Sequence, residues 1–171
     1  LVFLDCEFTG LELLKHEIIE IGLVKVKRGT FEVLAEKQIK IKPQRLTDAN
    51  PESLAISGYN DAEWLDAVDL KTGLQELLSF TDGCMLAGHN IAVDRMFLQK
   101  ALEESGLAPN FYYKALDTFS LAWQKLRGQP EFKKFSLSEL GPYFGVNMGM
   151  RHRALDDART TYKVFLKLVE L

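Results

Sequence analysis

The sequence predicts an α/β protein: one mixed sheet that carries a hairpin, with helices covering both faces. Three observations lead there. The chain opens on a short apolar run, Leu1 to Leu4, that ends in acids and turn residues. Two further strand-like runs follow, joined by a tight turn. Beyond residue 47, helical stretches alternate with short apolar ones, the pattern of parallel strands joined by crossovers.

The first strand runs through Leu1-Val2-Phe3-Leu4-Asp5-Cys6-Glu7 and stops at Thr9-Gly10. Residues 18–26 are almost continuously apolar and form a second strand, ending at Lys27-Arg28-Gly29. A third strand over 31–41 alternates apolar with polar and is stopped by Pro43, so strands two and three make a hairpin. From Thr47 the pattern turns helical, with capping residues ahead of Pro51. A longer helix is expected over 67–80, with Leu70, Leu74, Leu77 and Leu78 on one stripe. Residues 84–88 are apolar on both faces, as a central parallel strand should be. A helix over 93–104, a strand over 112–116 and a helix over 118–126 come next. Residues 127–134 read as an exposed basic loop, and Ser136-Leu137-Ser138-Glu139 has the form of a capping box opening a short helix. The last helix covers 153–171.

At 171 residues the chain suits a single domain, 1–171, with a full core. Its 47% hydrophobic and 26% charged residues are the balance of a soluble globular protein, and no apolar run is long enough for a membrane helix. No signal-peptide pattern opens it, and a first residue of Leu, at the head of a strand, suggests a start inside a longer chain. Two cysteines, Cys6 and Cys84, are too few for a disulfide framework; reduced thiols and a cytoplasmic location are expected. The net charge of −3 argues against a non-specific polyanion binder. It is compatible with a nucleic-acid enzyme whose acids are gathered around cations.

Four acids can be brought to one place. Alternation along a strand projects Asp5 and Glu7 to the same side, where they repel unless a cation neutralises them. In the helix over 93–104, Asp94 shares the inward stripe with Phe97, Leu98, Ala101 and Leu102. At a helix start an acid also serves as a simple cap. Helical periodicity separates Asp156 from Asp157. Asp156 falls with Arg159, Thr160, Lys163 and Lys167 on a solvated face, while Asp157 falls with Ala154, Ala158, Thr161, Val164, Phe165 and Leu168 on the core face. His152 precedes this helix and belongs to a loop leaning over the same place.

Three segments now stand together: Asp5-Cys6-Glu7-Phe8-Thr9-Gly10-Leu11, His89-Asn90-Ile91-Ala92-Val93-Asp94 and His152-Arg153-Ala154-Leu155-Asp156-Asp157-Ala158. In order and separation they resemble the DEDDh family of 3′-to-5′ exonucleases. That family includes the proofreading subunit of bacterial replicative polymerase, ribonuclease T and oligoribonuclease. The resemblance implies a ribonuclease H-like fold, with strands one to three antiparallel and four and five parallel to the first. It implies two divalent cations, Mg²⁺ or Mn²⁺, held by Asp5, Glu7, Asp94 and Asp157, with His152 as general base. Hard carboxylate oxygens suit such ions, and a pair of them suits in-line phosphoryl displacement. Phe8 stands where the family usually has a small hydroxyl residue.

By the same resemblance, the backbone at Phe8-Thr9-Gly10 should meet the terminal sugar and Leu11 should wedge against the terminal base. Phe8 or Phe97 could stack on a base, or Phe97 could be plain core; His89 and Asn90 could contact phosphate or fix their loop. The partners the resemblance implies are a nucleic-acid 3′ end, leaning to single-stranded DNA, and a polymerase or another replication or repair protein. The alternatives are an RNA 3′-end exonuclease of the oligoribonuclease or ribonuclease T type, and a catalytically silent domain that binds nucleic-acid ends. A metal-dependent phosphatase lacks a matching lysine motif.

Overall fold

The computed structural model describes residues 1–171. Five strands form one sheet: β1 (Val2–Phe8), β2 (Ile18–Val26), β3 (Val33–Lys40), β4 (Leu86–Gly88) and β5 (Ala115–Asp117), in the spatial order β3-β2-β1-β4-β5. β1 pairs antiparallel with β2, and β2 with β3, while β4 runs parallel to both β1 and β5. The helices are α1 (Pro51–Ser57), α2 (Leu70–Thr81), α3 (Ala92–Glu104), α4 (Thr118–Leu126), α5 (Leu137–Tyr143) and α6 (Ala154–Glu170).

The alternation of β1 divides the core. Val2, Leu4 and Cys6 join Leu74 and Leu77 of α2 and Phe97, Leu98 and Leu102 of α3 on one face. Phe3 turns to the other face, against Ala158 and Phe165 of α6. Behind α6, its Val164 and Leu168 meet Ala122 and Leu126 of α4 and Leu140 of α5 in a separate apolar cluster. Both cysteines are free. No helix is long and apolar enough to cross a membrane.

Several expectations need correction. The third strand is Val33–Lys40 rather than 31–41, with Phe31 left-handed at φ 58°, and the fourth is Leu86–Gly88 rather than 84–88. The fifth strand is not 112–116 but Ala115–Asp117: β4 offers only three residues to pair with, and the Tyr112 and Tyr113 rings meet at 56° outside the ladder. α2 begins at Leu70 rather than 67, because Val68 bridges to Ile41 and the Asp69 carboxylate caps the Thr72 N–H. Thr160 is not on a solvated face. It is buried, and its hydroxyl donates to the backbone oxygens of Asp156 and Met148, the latter in the loop that folds back over α6.

Candidate active site

The acids meet at the end of β1. In the β1–β2 register Asp5 stands opposite Gly22 and Glu7 opposite Glu20. Gly22 has a steric reason to be glycine: a Cβ there would collide with the backbone of Ala154 and Leu155. The missing side chain lets the first turn of α6 settle directly on β2, beside Asp5. From that turn Asp157 reaches over Glu7, and ligating atoms of Glu7, His152 and Asp157 all lie within 4.8 Å of one another. His152 sits on the expected loop. Its backbone is left-handed, at φ 58°, and its N–H donates to Asp157 Oδ2 at 2.9 Å. That bond fixes the imidazole's chain position to the same carboxylate it accompanies.

Asp94 enters from the opposite layer. Its Oδ1 accepts the Cys6 N–H at 2.9 Å, tying the first turn of α3 to the strand between Asp5 and Glu7. Asp156, its neighbour's counterpart on the outer side, accepts from Met150 N–H and pairs with Arg159, so it shapes the loop that carries His152.

None of the molecule's ion pairs involves Asp5, Glu7, Asp94 or Asp157. Arg153 turns its guanidinium away to Glu63 at 3.1 Å and over the Trp64 ring. The consequence is a set of carboxyls with displaced titration. Burial, then the charges of Asp94, Asp157 and Glu7, hold Asp5 well above the usual carboxylate range. Burial first, then Asp157, pushes Glu7 up to about 8. Burial pushes Asp94 up to about 7, and raises Asp157 against the opposing His152 N–H. Acids kept this close with no ion pair of their own are suited to divalent cations, which would offset both repulsion and desolvation penalty.

The residues expected at the substrate divide. Leu11 is 76% exposed at the tip of the turn, free to act as a wedge. Phe8 is half-buried and its ring lies on that of Phe97 at 4.2 Å between centroids. Phe97 is buried, so it props Phe8 and offers no face to a base. Thr9 is buried as well: its N–H donates to Glu17, its carbonyl accepts from Asn50, and its hydroxyl accepts the Glu17 N–H. Gly10 packs on the His16 ring, where any Cβ would collide. Of residues 8–11, Phe8 and Leu11 alone keep open surface. His89 meets the Thr118 hydroxyl at 2.9 Å, and the Asn90 N–H donates to Asp117 at 2.8 Å. These contacts fix the β4–α3 loop to the start of α4.

One buried acid went unread. Glu20 lies inside the apolar run Ile18-Ile19-Glu20-Ile21, and the signal for it was a charged residue interrupting a strand apolar on both faces.

The sheet order, with acids drawn from β1, α3 and α6 to one end, is that of the ribonuclease H-like fold. Within that fold the chain belongs to the exonuclease family: the RNase_T family model, described as Exonuclease, matches residues 2–165. The PolC-type DNA polymerase III of Caldanaerobacter subterraneus is 31% identical over 99% of the chain, which covers 11% of that protein. The DNA polymerase III subunit epsilon of Aquifex aeolicus is 29% identical over 99% of the chain and 80% of its own length. In fold, Escherichia coli exonuclease I in complex with a dT13 oligonucleotide superposes with a TM-score of 0.81 at 17% identity, over 99% of this chain and 40% of that one. The chain therefore spans about a ninth of the PolC-type relative it matches.

Proposed function

We propose that the chain is a cation-dependent 3′-to-5′ exonuclease that removes nucleoside 5′-monophosphates from the 3′ end of single-stranded DNA. The observation that carries this is the convergence of Glu7, His152 and Asp157 within 4.8 Å, beside Asp5 and with Asp94 tied to the same strand. Asp5, Glu7, Asp94 and Asp157 would hold two divalent cations, Mg²⁺ or Mn²⁺. When bound, such ions neutralise charge on the scissile phosphate and make a nearby water more acidic. His152, an imidazole on a loop held by Asp157, accepts the proton of the attacking water. Leu11 and Phe8, the exposed edge of the neighbouring turn, bear on the terminal nucleotide and restrict the site to strand ends.

The preference for DNA is supported by relatives named as DNA polymerase III proteins, as is a polymerase or repair protein as partner. Two free thiols fit the reducing cytoplasm as its compartment. The test is digestion of 3′-labelled single-stranded DNA, duplex DNA and RNA side by side, with Mg²⁺, with Mn²⁺ and with chelator. A 3′ label should be released at once and a 5′-labelled single strand of DNA should shorten one nucleotide at a time, with a 3′-phosphate blocking and a 5′ block having no effect. Digestion of closed circular single strands, or full activity in excess chelator, would overturn the reading. Faster loss of RNA than of DNA would move the substrate to the RNA class.

A further inference from the structure

Glu20 is fully enclosed in the middle of β2, with no surface open to solvent. A buried carboxylate is unfavourable unless its oxygens find partners. Oε1 accepts from the Gln38 side-chain amide on β3. Oε2 is buried and has no hydrogen-bond partner. Opposite Glu20 stands Glu7. Burial raises its carboxyl above the usual range, opposed by the Gln38 amide, then Lys40 and Arg153, and least by the Ala154 N–H.

α6 has need of such a group. Its N-cap residue, Arg153, makes no side-chain bond to the helix start, and that guanidinium is engaged by Glu63. The open N–H groups of a first helical turn call for an acceptor. Gly22, two residues along the same strand, leaves the space that brings the Ala154 backbone down to the sheet.

We propose that Glu20 is a positioning residue: it caps α6 from the neighbouring strand and so sets the placement of Asp157 and His152 over Glu7. This rests on the reading of the site as a cation-dependent nuclease centre. Glu20 touches neither substrate nor the reacting atoms in this role. What the role requires is an oxygen within reach of the helix start, and Oε2 is the one left without another partner, so side-chain length counts for more than charge. A glutamine keeps an oxygen at the right distance, and Gln38 can turn its own amide to match. An aspartate keeps the charge and falls one methylene short.

The experiment compares Glu20→Ala, Glu20→Gln and Glu20→Asp in the full chain. Mn²⁺ binding is followed by calorimetry without nucleic acid, and kcat and KM are measured on 3′-labelled single-stranded DNA. Glu20→Ala and Glu20→Asp should each lower Mn²⁺ affinity and kcat by about 10–100-fold, the usual effect of losing a residue that orients a metal ligand. KM should change little, and Glu20→Gln should stay close to wild type in both readouts. If Glu20→Ala does not fold, the Gln and Asp variants decide the matter. Wild-type behaviour of Glu20→Asp together with loss in Glu20→Gln would overturn the proposal, since charge would then be the requirement. Wild-type Mn²⁺ affinity and kcat in Glu20→Ala would overturn it too. A wild-type chain that binds no Mn²⁺ and digests nothing would remove the nuclease reading itself, and this proposal with it.

Discussion

Helices α2 and α6 lie on opposite faces of one sheet and begin in opposite ways. α2 is locally complete. Asp69 accepts the Thr72 N–H at 3.0 Å, and the inward positions are apolar or small, with Leu74 and Leu77 fully buried. α6 starts without a local side-chain cap, carries Asp156 and Asp157 in its first turn and directs Asp157 inward. Its opening turn depends on β2, through Gly22, and on the loop through His152 and Met150. A segment that departs from local rules is held by tertiary contacts, and such departures concentrate where function resides. One helix serves stability; the first turn of the other serves chemistry.

Substitutions can test how sharply those roles separate. The largest effect is expected from Asp157→Asn, which should reduce turnover by more than the roughly 100-fold typical of losing a residue that only orients a ligand. Its melting temperature without cations should stay level or rise, because one repelling carboxylate is gone. Asp156→Asn should be far milder, and the reverse ranking in a nuclease assay would show the helix face to be misassigned.

On the α2 side, Leu74→Ala should destabilise the fold by about 2–5 kcal/mol, through lost burial and an unfilled cavity. Urea titration measures it, and kcat per folded molecule should hardly change. Gly22→Ala should follow at about 1–3 kcal/mol, from overpacking against the backbone of α6. Unlike Leu74→Ala it should also lower kcat, since it lifts Asp157 and His152. Gly73→Ala in α2 meets only side-chain atoms of Ile39 and Ile41, and should leave kcat intact.

The pH dependence should divide the same way. Glu7 at about 8 and Asp94 at about 7 bind protons more tightly folded than unfolded. Below pH 4 both states are protonated and no penalty arises; as pH rises from there to about 8, the penalty of ionising these groups in the fold accumulates. Stability without cations should therefore fall across that window, and saturating Mn²⁺ should flatten the slope. Thermal melts at pH 5, 6, 7 and 8 with and without Mn²⁺ would show it, and a slope rising with pH would contradict the burial of these acids. The smallest effect should be Asp69→Ala, a slight loss of stability in urea titration from the lost α2 cap, with unchanged activity.

Much of this was present in the order of residues alone. Periodicity is a local property, so it distinguished Asp157 from Asp156, placed Asp94 inward and bounded β2 and α4 correctly. Three motifs in order sufficed for the family. Other features depended on neighbours distant in the chain. How far β5 extends was decided by the three residues that β4 offers it. Phe97 became a prop for Phe8, and Thr9 became internal, because β1, the turn after it and α3 close over them. Thr160 lies on the outer side by helical phase and was buried by a loop whose path no periodicity describes. Glu20 reads as an interruption in an apolar strand until the sheet register sets it opposite Glu7 and α6 descends on Gly22. Faces follow from the spacing of residues within one element, whereas partners follow from which elements pack together, and only the folded chain determines that.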